Sequence, residues 1–111
     1  MNKRFRLKNS SDFQRVRRAG KAIAHPFVVL LYLPNGLDQV RIGVAAGKSV
    51  GNAVQRNRAK RVMRAAMQSL LEELKPGNDI VLIARKPILE AKTPDLIRIL
   101  QPRMKNAGLL E

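Results

Sequence analysis

A two-layer α/β sandwich, with helices packed on one mixed sheet, is the fold that this sequence predicts. Two apolar runs, residues 27–33 and 80–83, have the composition of buried strands. Between them, residues 51–67 repeat their apolar side chains with the period of a helix. Strands joined through a long helix are typical of this fold class, and 111 residues are enough for one domain, 1–111, with a modest core.

Capping and turn signals predict where the elements begin and end. The expected elements are a helix from Ser10 or Ser11 to Gly20, strands at 21–24, 27–33 and 40–45, a helix at 53–74, a strand at 79–84 and a helix from Thr93. Pro34-Asn35-Gly36 is a turn signal, so hairpin logic pairs the second and third strands antiparallel. Asn52 is the expected N-cap of the long helix, and Thr93 that of the last helix, which Pro102 is expected to kink or restart.

The strand at 27–33 is apolar on both of its faces. The two alternating sets are Phe27, Val29, Leu31 and Leu33 on one side, and Val28, Leu30 and Tyr32 on the other. Such a strand is either covered on both faces or borders a binding cleft. Phe13, from the first helix, and Tyr32 are then either core residues or stacking surfaces of a groove for single-stranded RNA.

The chain is strongly basic, with a net charge of +14 and a pI near 11.5. A foldable domain, 45% apolar, with this charge is expected to bind a polyanion; nucleic acid is the first candidate and an anionic membrane surface the second. Cysteine is absent, which excludes disulfides and thiol chemistry. No apolar run is long enough to span a bilayer, so we expect a cytoplasmic protein without a membrane partner.

Most of this charge is concentrated on the long helix. Its apolar arc consists of Ala59, Val62, Met63, Ala66 and Leu70, and its cations are Arg56, Arg58, Lys60, Arg61 and Arg64. No acidic residue occurs between Asp38 and Glu72. A merely solvated helix face is the alternative, but such faces place acids four residues from their cations, and this one has none. The helix is therefore predicted to be a binding surface for phosphates.

The parts of a protein active site are missing. His25 is the one histidine, and it precedes a proline as expected for a turn or surface residue. No carboxylate cluster suggests a two-metal nuclease site. Asn57 lies between two arginines, where it either bonds a base edge or sugar hydroxyl or caps a neighbouring loop. The basic residues 1–8 are either a frayed tail or a segment that orders on RNA.

The segment 48–61, Lys-Ser-Val-Gly-Asn-Ala-Val-Gln-Arg-Asn-Arg-Ala-Lys-Arg, resembles the signature of the bacterial ribonuclease P protein subunit. The resemblance continues in Leu7-Lys8, in Asp12-Phe13 with Val16 and Gly20, in Arg41-Ile42-Gly43-Val44, and in Ile83-Ala84-Arg85-Lys86-Pro87. It covers nearly the whole chain, and the Arg-Asn-Arg block preceded by Gly-Asn-Ala-Val is highly specific.

This resemblance implies a four-stranded mixed sheet, three helices and a left-handed βαβ crossover, an exception to the usual hand. It implies the small subunit of a ribonucleoprotein that removes the 5′ leader of precursor tRNA. The partners are then the ribonuclease P RNA and precursor tRNA, with a monomer of this chain in the holoenzyme. The RNA carries out the catalysis, so the protein supplies no catalytic residue, metal site or cofactor, and Mg²⁺ is expected at the RNA active site.

The resemblance also assigns residues. The RNA-binding positions are Arg56, Asn57, Arg58, Lys60, Arg61 and Arg64, and the leader-cleft positions are Phe13, Arg17, Tyr32 and Lys48. Arg17 stands where the family often has a second aromatic residue. Leu30 stands where a strand aromatic is common, so Tyr32 is the expected replacement. The alternative functions are a structural RNA-binding protein of ribosomal type and, least favoured, an autonomous nuclease.

Overall fold

The computed structural model describes residues 5–111, and its elements follow the predicted order. They are α1 (Ser10–Ala19), β1 (Lys21–Ala24), β2 (Val28–Pro34), β3 (Arg41–Ala45), α2 (Ala53–Leu70), β4 (Asn78–Ala84) and α3 (Thr93–Asn106). A 3₁₀ turn, Leu71–Glu73, extends α2, and a second, Lys86–Glu90, precedes α3. Three helices thus accompany a four-stranded mixed sheet, as predicted.

The strands lie in the order β1-β2-β4-β3. β2 pairs antiparallel with β1 and with β4, whereas β3 pairs parallel with β4. The predicted hairpin between β2 and β3 is therefore wrong, because β4 lies between them. β4 is apolar on both faces and largely buried, so a central position covers more of it than an edge would. β3, α2 and β4 form the crossover unit whose left hand the resemblance implies.

The register divides the sheet into two faces with separate cores. The face under α2 and α3, called here the α2 face, carries Val28, Leu30, Ile42, Ile80 and Leu82. The opposite face, called the α1 face, carries Leu31, Leu33, Val81 and Ile83, on which Phe13 and Val16 of α1 pack. Both faces of β2 are thus covered over most of the strand, which explains why both of its side-chain sets are apolar.

Two of the predicted caps are displaced by one residue. Asn9, not Ser10 or Ser11, is the N-cap of α1, and its carbonyl accepts hydrogen bonds from the N–H groups of Asp12 and Phe13. Lys92, not Thr93, is the N-cap of α3, and its N–H donates to the Asp95 carboxylate over 2.9 Å. In both cases the hydroxyl residue lies inside the first turn, where its side chain makes no capping hydrogen bond.

Two further expectations concern the ends of the chain. Leu7 is buried, and its N–H donates to the Ile42 carbonyl over 2.9 Å, while Arg6 forms a parallel bridge with Ile42. A frayed tail is therefore wrong for this stretch, and Lys3 and Arg4 lie outside the described residues.

At the other end of the chain, α3 was expected to kink or restart at Pro102. It is one continuous helix through Pro102 to Asn106, so a restart is wrong.

Candidate nucleic-acid interface

The apolar arc of α2 is buried as predicted. Ala59, Val62, Met63, Ala66 and Leu70 all lie in the core of the α2 face, together with Met67. This burial fixes the rotation of the helix on the sheet. It leaves the remaining side chains of the first three turns, which include all the predicted RNA-binding residues, on the flanks and outer surface of the helix.

The start of α2 is held by a reciprocal cap. The Asn52 side chain accepts from the Gln55 N–H over 2.9 Å, and the Gln55 side chain accepts from the Asn52 N–H over 2.8 Å. Gly51 precedes the cap with φ of 149°, and a Cβ there would lie 2.0 Å from the Gln55 side-chain oxygen. Only glycine therefore leaves room for the cap, which explains the Gly-Asn pair ahead of the basic residues.

Four basic side chains and Asn57 form one continuous surface, called here the basic flank of α2. Its members are Arg56, Asn57, Lys60, Arg61 and Arg64. Asn57 and Arg61 are exposed and the others are half-buried, and no ion pair neutralises any of the cations within residues 5–111. Burial, together with the positive charge of Arg6, lowers the pKa of Arg64. Cations that share a surface without acids favour a polyanionic partner.

Arg58 occupies a different position from the other cations. A rotation of about 100° per residue places it roughly 160° around the helix from Lys60. Its Nη2 donates to the Ala91 carbonyl over 3.2 Å, while its Nη1 is buried without a hydrogen-bond partner. Ala91 itself is buried, just before α3. Arg58 therefore contacts the segment between the Lys86–Glu90 turn and α3, at the edge of the basic flank next to Arg61, which is about 60° away around the helix.

On the α1 face, the Phe13 ring lies directly against the backbone of Gly43. A Cβ at Gly43 would lie 2.3 Å from Cζ of Phe13, so the ring occupies the space of a missing side chain. Helical geometry places Arg17, which is exposed, on the same side of α1 as Phe13. Asp12 and Arg15 lie on the other side of the helix.

That other side of α1 is held by a buried carboxylate. Asp79, at the start of β4, is fully buried and accepts hydrogen bonds from Arg15, from the Asn35 side chain over 3.0 Å, and from Arg41 through two nitrogens over 2.8 and 2.7 Å. Burial raises the pKa of Asp79, but the hydrogen bonds from Arg41 and Asn35 and the charges of both arginines outweigh it and hold that pKa below its ordinary value. This network fixes α1 over one end of the sheet.

The other end of the α1 face is open. The strand register places Ala24, Val29, Ile83 and Ala45 side by side across the sheet, one row beyond α1. All four are exposed or half-buried. They form an uncovered strip of the sheet, called here the α1 groove, next to which the position of α1 places Phe13 and Arg17.

Basic residues border the groove on its other side. β1, β3 and β4 run in the same direction, so their carboxyl ends meet at one end of the sheet, called here the Arg85 end. Lys48 follows β3 there and is exposed, as are Arg85 and Lys86 after β4. The sequence identified Lys48 as a leader-cleft residue, and Arg6 as part of a basic segment that either frays or orders on RNA. It indicated no role for Arg85, whose signal was a basic residue just after a buried strand.

Tyr32 does not belong to this groove. It pairs with Ile80 and lies on the α2 face, where it packs at the edge of the core. Leu30, the position expected to carry a strand aromatic, is fully buried on the same face. The groove that Phe13 and Tyr32 were expected to share is therefore wrong, because the sheet separates them.

Two negative findings apply to residues 5–111. No group of three or more histidine, cysteine, aspartate or glutamate side chains is placed to hold a metal ion. In the same part of the chain, no helix is both long and apolar enough to cross a membrane.

Comparison with known proteins identifies the class of molecule. The Ribonuclease P family model matches residues 1–108. The ribonuclease P protein component of Streptococcus pyogenes is 39% identical over 111 residues, all of this chain and 92% of that protein. That of Caldanaerobacter subterraneus is 37% identical over 106 residues, 96% of this chain and 91% of that protein.

Solved structures agree with these sequence relatives. The RNase P protein of Staphylococcus aureus superposes with a TM-score of 0.83 at 30% identity, covering 96% of this chain and 98% of that one. The RNase P protein of Thermotoga maritima gives 0.79 at 28% identity, covering 91% and 96%.

The fold and the surfaces define a small α+β protein with a basic helix on one face of its sheet and an open groove on the other. The chain belongs to the ribonuclease P protein family. Members of this family are the protein component of an endoribonuclease holoenzyme that processes the 5′ ends of tRNA and whose catalysis is carried out by its RNA. Membership implies the ribonuclease P RNA as a partner.

Proposed function

We propose that this chain binds the ribonuclease P RNA through the basic flank of α2 and holds the 5′ leader of precursor tRNA in the α1 groove. The observation that carries this proposal is that the two surfaces lie on opposite faces of one sheet. One small domain is then able to contact a structured RNA on one side and a single strand on the other.

The basic flank has the chemistry for docking on a folded RNA. Arginine and lysine side chains without acidic partners bind phosphates and release counterions, which gives affinity rather than sequence reading. Asn57 is exposed between them and provides one amide for a base edge or a sugar hydroxyl. Arg58 contributes less to this contact, because its guanidinium is engaged with Ala91.

The α1 groove has the chemistry for a single strand. Its floor is apolar, Phe13 offers a ring at its border, and Arg17 and Lys48 are exposed cations near its edges. A basic groove with an aromatic platform is the usual combination for single-stranded nucleic acid. Tyr32 is excluded from this role by its position on the α2 face.

The chemistry of cleavage is assigned to the RNA. Hydrolysis of the phosphodiester requires a nucleophilic water and charge stabilisation, which Mg²⁺ ions supply when they are bound by the RNA and substrate. The protein positions the leader and screens phosphate repulsion between the two RNAs. It does so as a monomer in the holoenzyme and in the cytoplasm, where tRNA precursors are processed.

Reconstitution tests the proposal. The purified chain, added to the ribonuclease P RNA of the same organism, is expected to accelerate cleavage of precursor tRNA at low magnesium. It is also expected to raise affinity for precursor tRNA above that for mature tRNA, because only the precursor carries a leader. Absence of both effects contradicts the proposal and favours a structural RNA-binding protein, whereas cleavage by the chain without RNA favours an autonomous nuclease.

A further inference from the structure

A cavity of about 360 Å³ lies at the Arg85 end of the sheet, next to the α1 groove, with which it shares Ala24 and Arg85. It is lined by Ala24, His25, Pro26, Arg85 and Pro87. Its volume is at the lower end of the range for small-molecule sites and suits one planar group rather than an extended ligand. Two proline rings and an imidazole supply surfaces on which such a group is able to pack.

His25 is held in one orientation and one tautomer. Its Nδ1 accepts a hydrogen bond from the Phe27 N–H over 3.0 Å, and its ring packs edge-on against the Phe27 ring at 5.0 Å. Burial, and then the positive charge of Arg103, lowers the pKa of His25, so the ring is neutral at physiological pH. A neutral ring that accepts at Nδ1 carries its proton on Nε2, and this donor has no hydrogen-bond partner within residues 5–111.

Arg85 supplies a charge that the protein does not use. Its backbone N–H donates to the Phe27 carbonyl over 3.0 Å, which fixes the position of its Cα beside His25. Within residues 5–111 its guanidinium has no hydrogen bond or ion pair, and the side chain is exposed. An anchored but unpaired arginine beside a cavity is suited to bind a phosphate.

The cavity shares Ala24 with the floor of the α1 groove. Ala24, which lines the cavity, is paired with Val29 in β2, and Val29 is paired with Ile83 in β4. These residues are part of the groove floor, so a strand that lies on Phe13 and extends across the sheet reaches the cavity. Two sheet rows and three strand spacings of about 4.8 Å separate Gly43 from Ala24, a distance of roughly 16 Å.

We propose that this cavity is a nucleotide subsite, in which one base of the single-stranded leader packs between His25 and the two prolines while Arg85 binds an adjacent phosphate. The Nε2–H of His25 donates to an acceptor on the base or sugar. The subsite rests on the proposed leader-binding function of the α1 groove. It lengthens the bound part of the leader beyond the nucleotides near Phe13.

The test measures affinity of the reconstituted holoenzyme for precursor tRNAs whose leaders are lengthened one nucleotide at a time. Wild type is expected to gain affinity until the leader fills the cavity. His25→Ala and Arg85→Ala are expected to lack the gain in affinity that comes from the nucleotide filling the cavity. On leaders long enough to reach the cavity, their affinity is expected to be roughly tenfold lower than that of wild type, as is typical for one stacked base. They are expected to match wild type on shorter leaders and on mature tRNA.

Lys105→Ala is the matched control, because Lys105 is an exposed cation in the last turn of α3, outside the lining of the cavity. It removes one charge and is expected to leave the length profile unchanged. Arg85→Lys, which retains a charge, is expected to recover part of the phosphate contact. Thermal unfolding of each variant checks that His25→Ala remains folded, and Arg85→Ala tests the subsite independently because its side chain is exposed.

Each other outcome overturns the subsite in a recognisable way. Equal losses at every leader length, mature tRNA included, assign the cavity to a different contact. A loss of affinity for the ribonuclease P RNA assigns it to that RNA. A wild-type profile that does not depend on leader length removes the proposed leader function itself, and with it the subsite.

Discussion

The Asp79 network on the α1 face and the basic flank of α2 use arginine in opposite ways. On the α1 face, Arg15 and Arg41 converge on the buried Asp79, and both also lie within 3.7 Å of Asp12. On the α2 face, the basic flank has no acidic partner among the described residues. The contrast shows that a high positive charge does not by itself identify an RNA contact. What distinguishes the two sets is whether the fold supplies the counter-charge.

Removing the counter-charge on the α1 face is expected to have the largest effect. Asp79→Ala leaves Arg15 and Arg41 without their shared acceptor, and loss of one partner of a buried pair costs about 3 kcal/mol in the free energy of unfolding. Chemical denaturation of the variant measures this cost. Asp38→Asn, at an exposed acid that makes no ion pair or side-chain hydrogen bond within residues 5–111, is the control and is expected to unfold like wild type. Equal stability of all three proteins contradicts a structural role for the network.

The same network predicts how stability depends on pH. The pKa of Asp79 is lower in the folded chain than its ordinary value of 3.8, so the unfolded chain takes up this proton first as pH falls. The stabilisation is complete above pH 3.8 and is lost as pH falls through the folded pKa. Denaturation as a function of pH is expected to show a steeper acid loss for wild type than for Asp79→Asn, which has no proton to take up. Parallel curves would contradict this assignment.

Arg58 and Arg61 are both cations, but only Arg58 is hydrogen-bonded to another part of the protein. Comparing them tests whether an arginine must lack a protein partner to contribute to RNA binding. Arg61→Ala removes an exposed cation and is expected to reduce the salt dependence of RNA binding by roughly one unit of slope, with unfolding unchanged. Arg58→Ala removes the hydrogen bond to Ala91 and is expected to lower thermal stability and change the slope less. Binding isotherms at several salt concentrations, with a melting curve for each variant, measure both effects. A larger slope change for Arg58→Ala would place Arg58 among the phosphate contacts.

The smallest expected effect is at the start of α2. Asn52→Ala removes the side-chain acceptor of the Gln55 N–H and is expected to cost about 1 kcal/mol in the free energy of unfolding. Asn52→Gly leaves less of a deficit, because glycine tolerates the cap position. Denaturation of the two variants measures the difference. If Asn52→Ala is as stable as wild type, the reciprocal cap does not hold the helix that carries the basic flank.

Local signals in the sequence were sufficient for the basic helix. The apolar period of α2, the Asn52 cap and the absence of acids between Asp38 and Glu72 are all contained in one continuous segment. The structure therefore confirms its buried face and its N-terminal cap. Arg58 is the exception, because its contact with Ala91 joins residues far apart in the chain.

The groove depends on long-range pairing, which local signals do not fix. Alternation separated the side-chain sets of residues 28–33 correctly, but Phe27, which precedes β2, was assigned to the wrong set, since it packs on the core of the α2 face. Alternation also gave no information on which set faces α1. The long-range pairing of Tyr32 with Ile80 of β4, whose side chain lies in the core under α2, places Tyr32 on the α2 face. The same pairing brings together the carboxyl ends of β1, β3 and β4, and so makes neighbours of Lys48 and Arg85.

The most direct test of the account compares Phe13→Ala and Arg61→Ala in the reconstituted holoenzyme. Phe13→Ala is expected to lower affinity for precursor tRNA by roughly tenfold, while affinity for mature tRNA and for the ribonuclease P RNA stays the same. Arg61→Ala is expected to lower affinity for the ribonuclease P RNA and leave the preference for precursor over mature tRNA intact. If each variant lowers both affinities to the same extent, the two faces do not have separate partners and the account is contradicted.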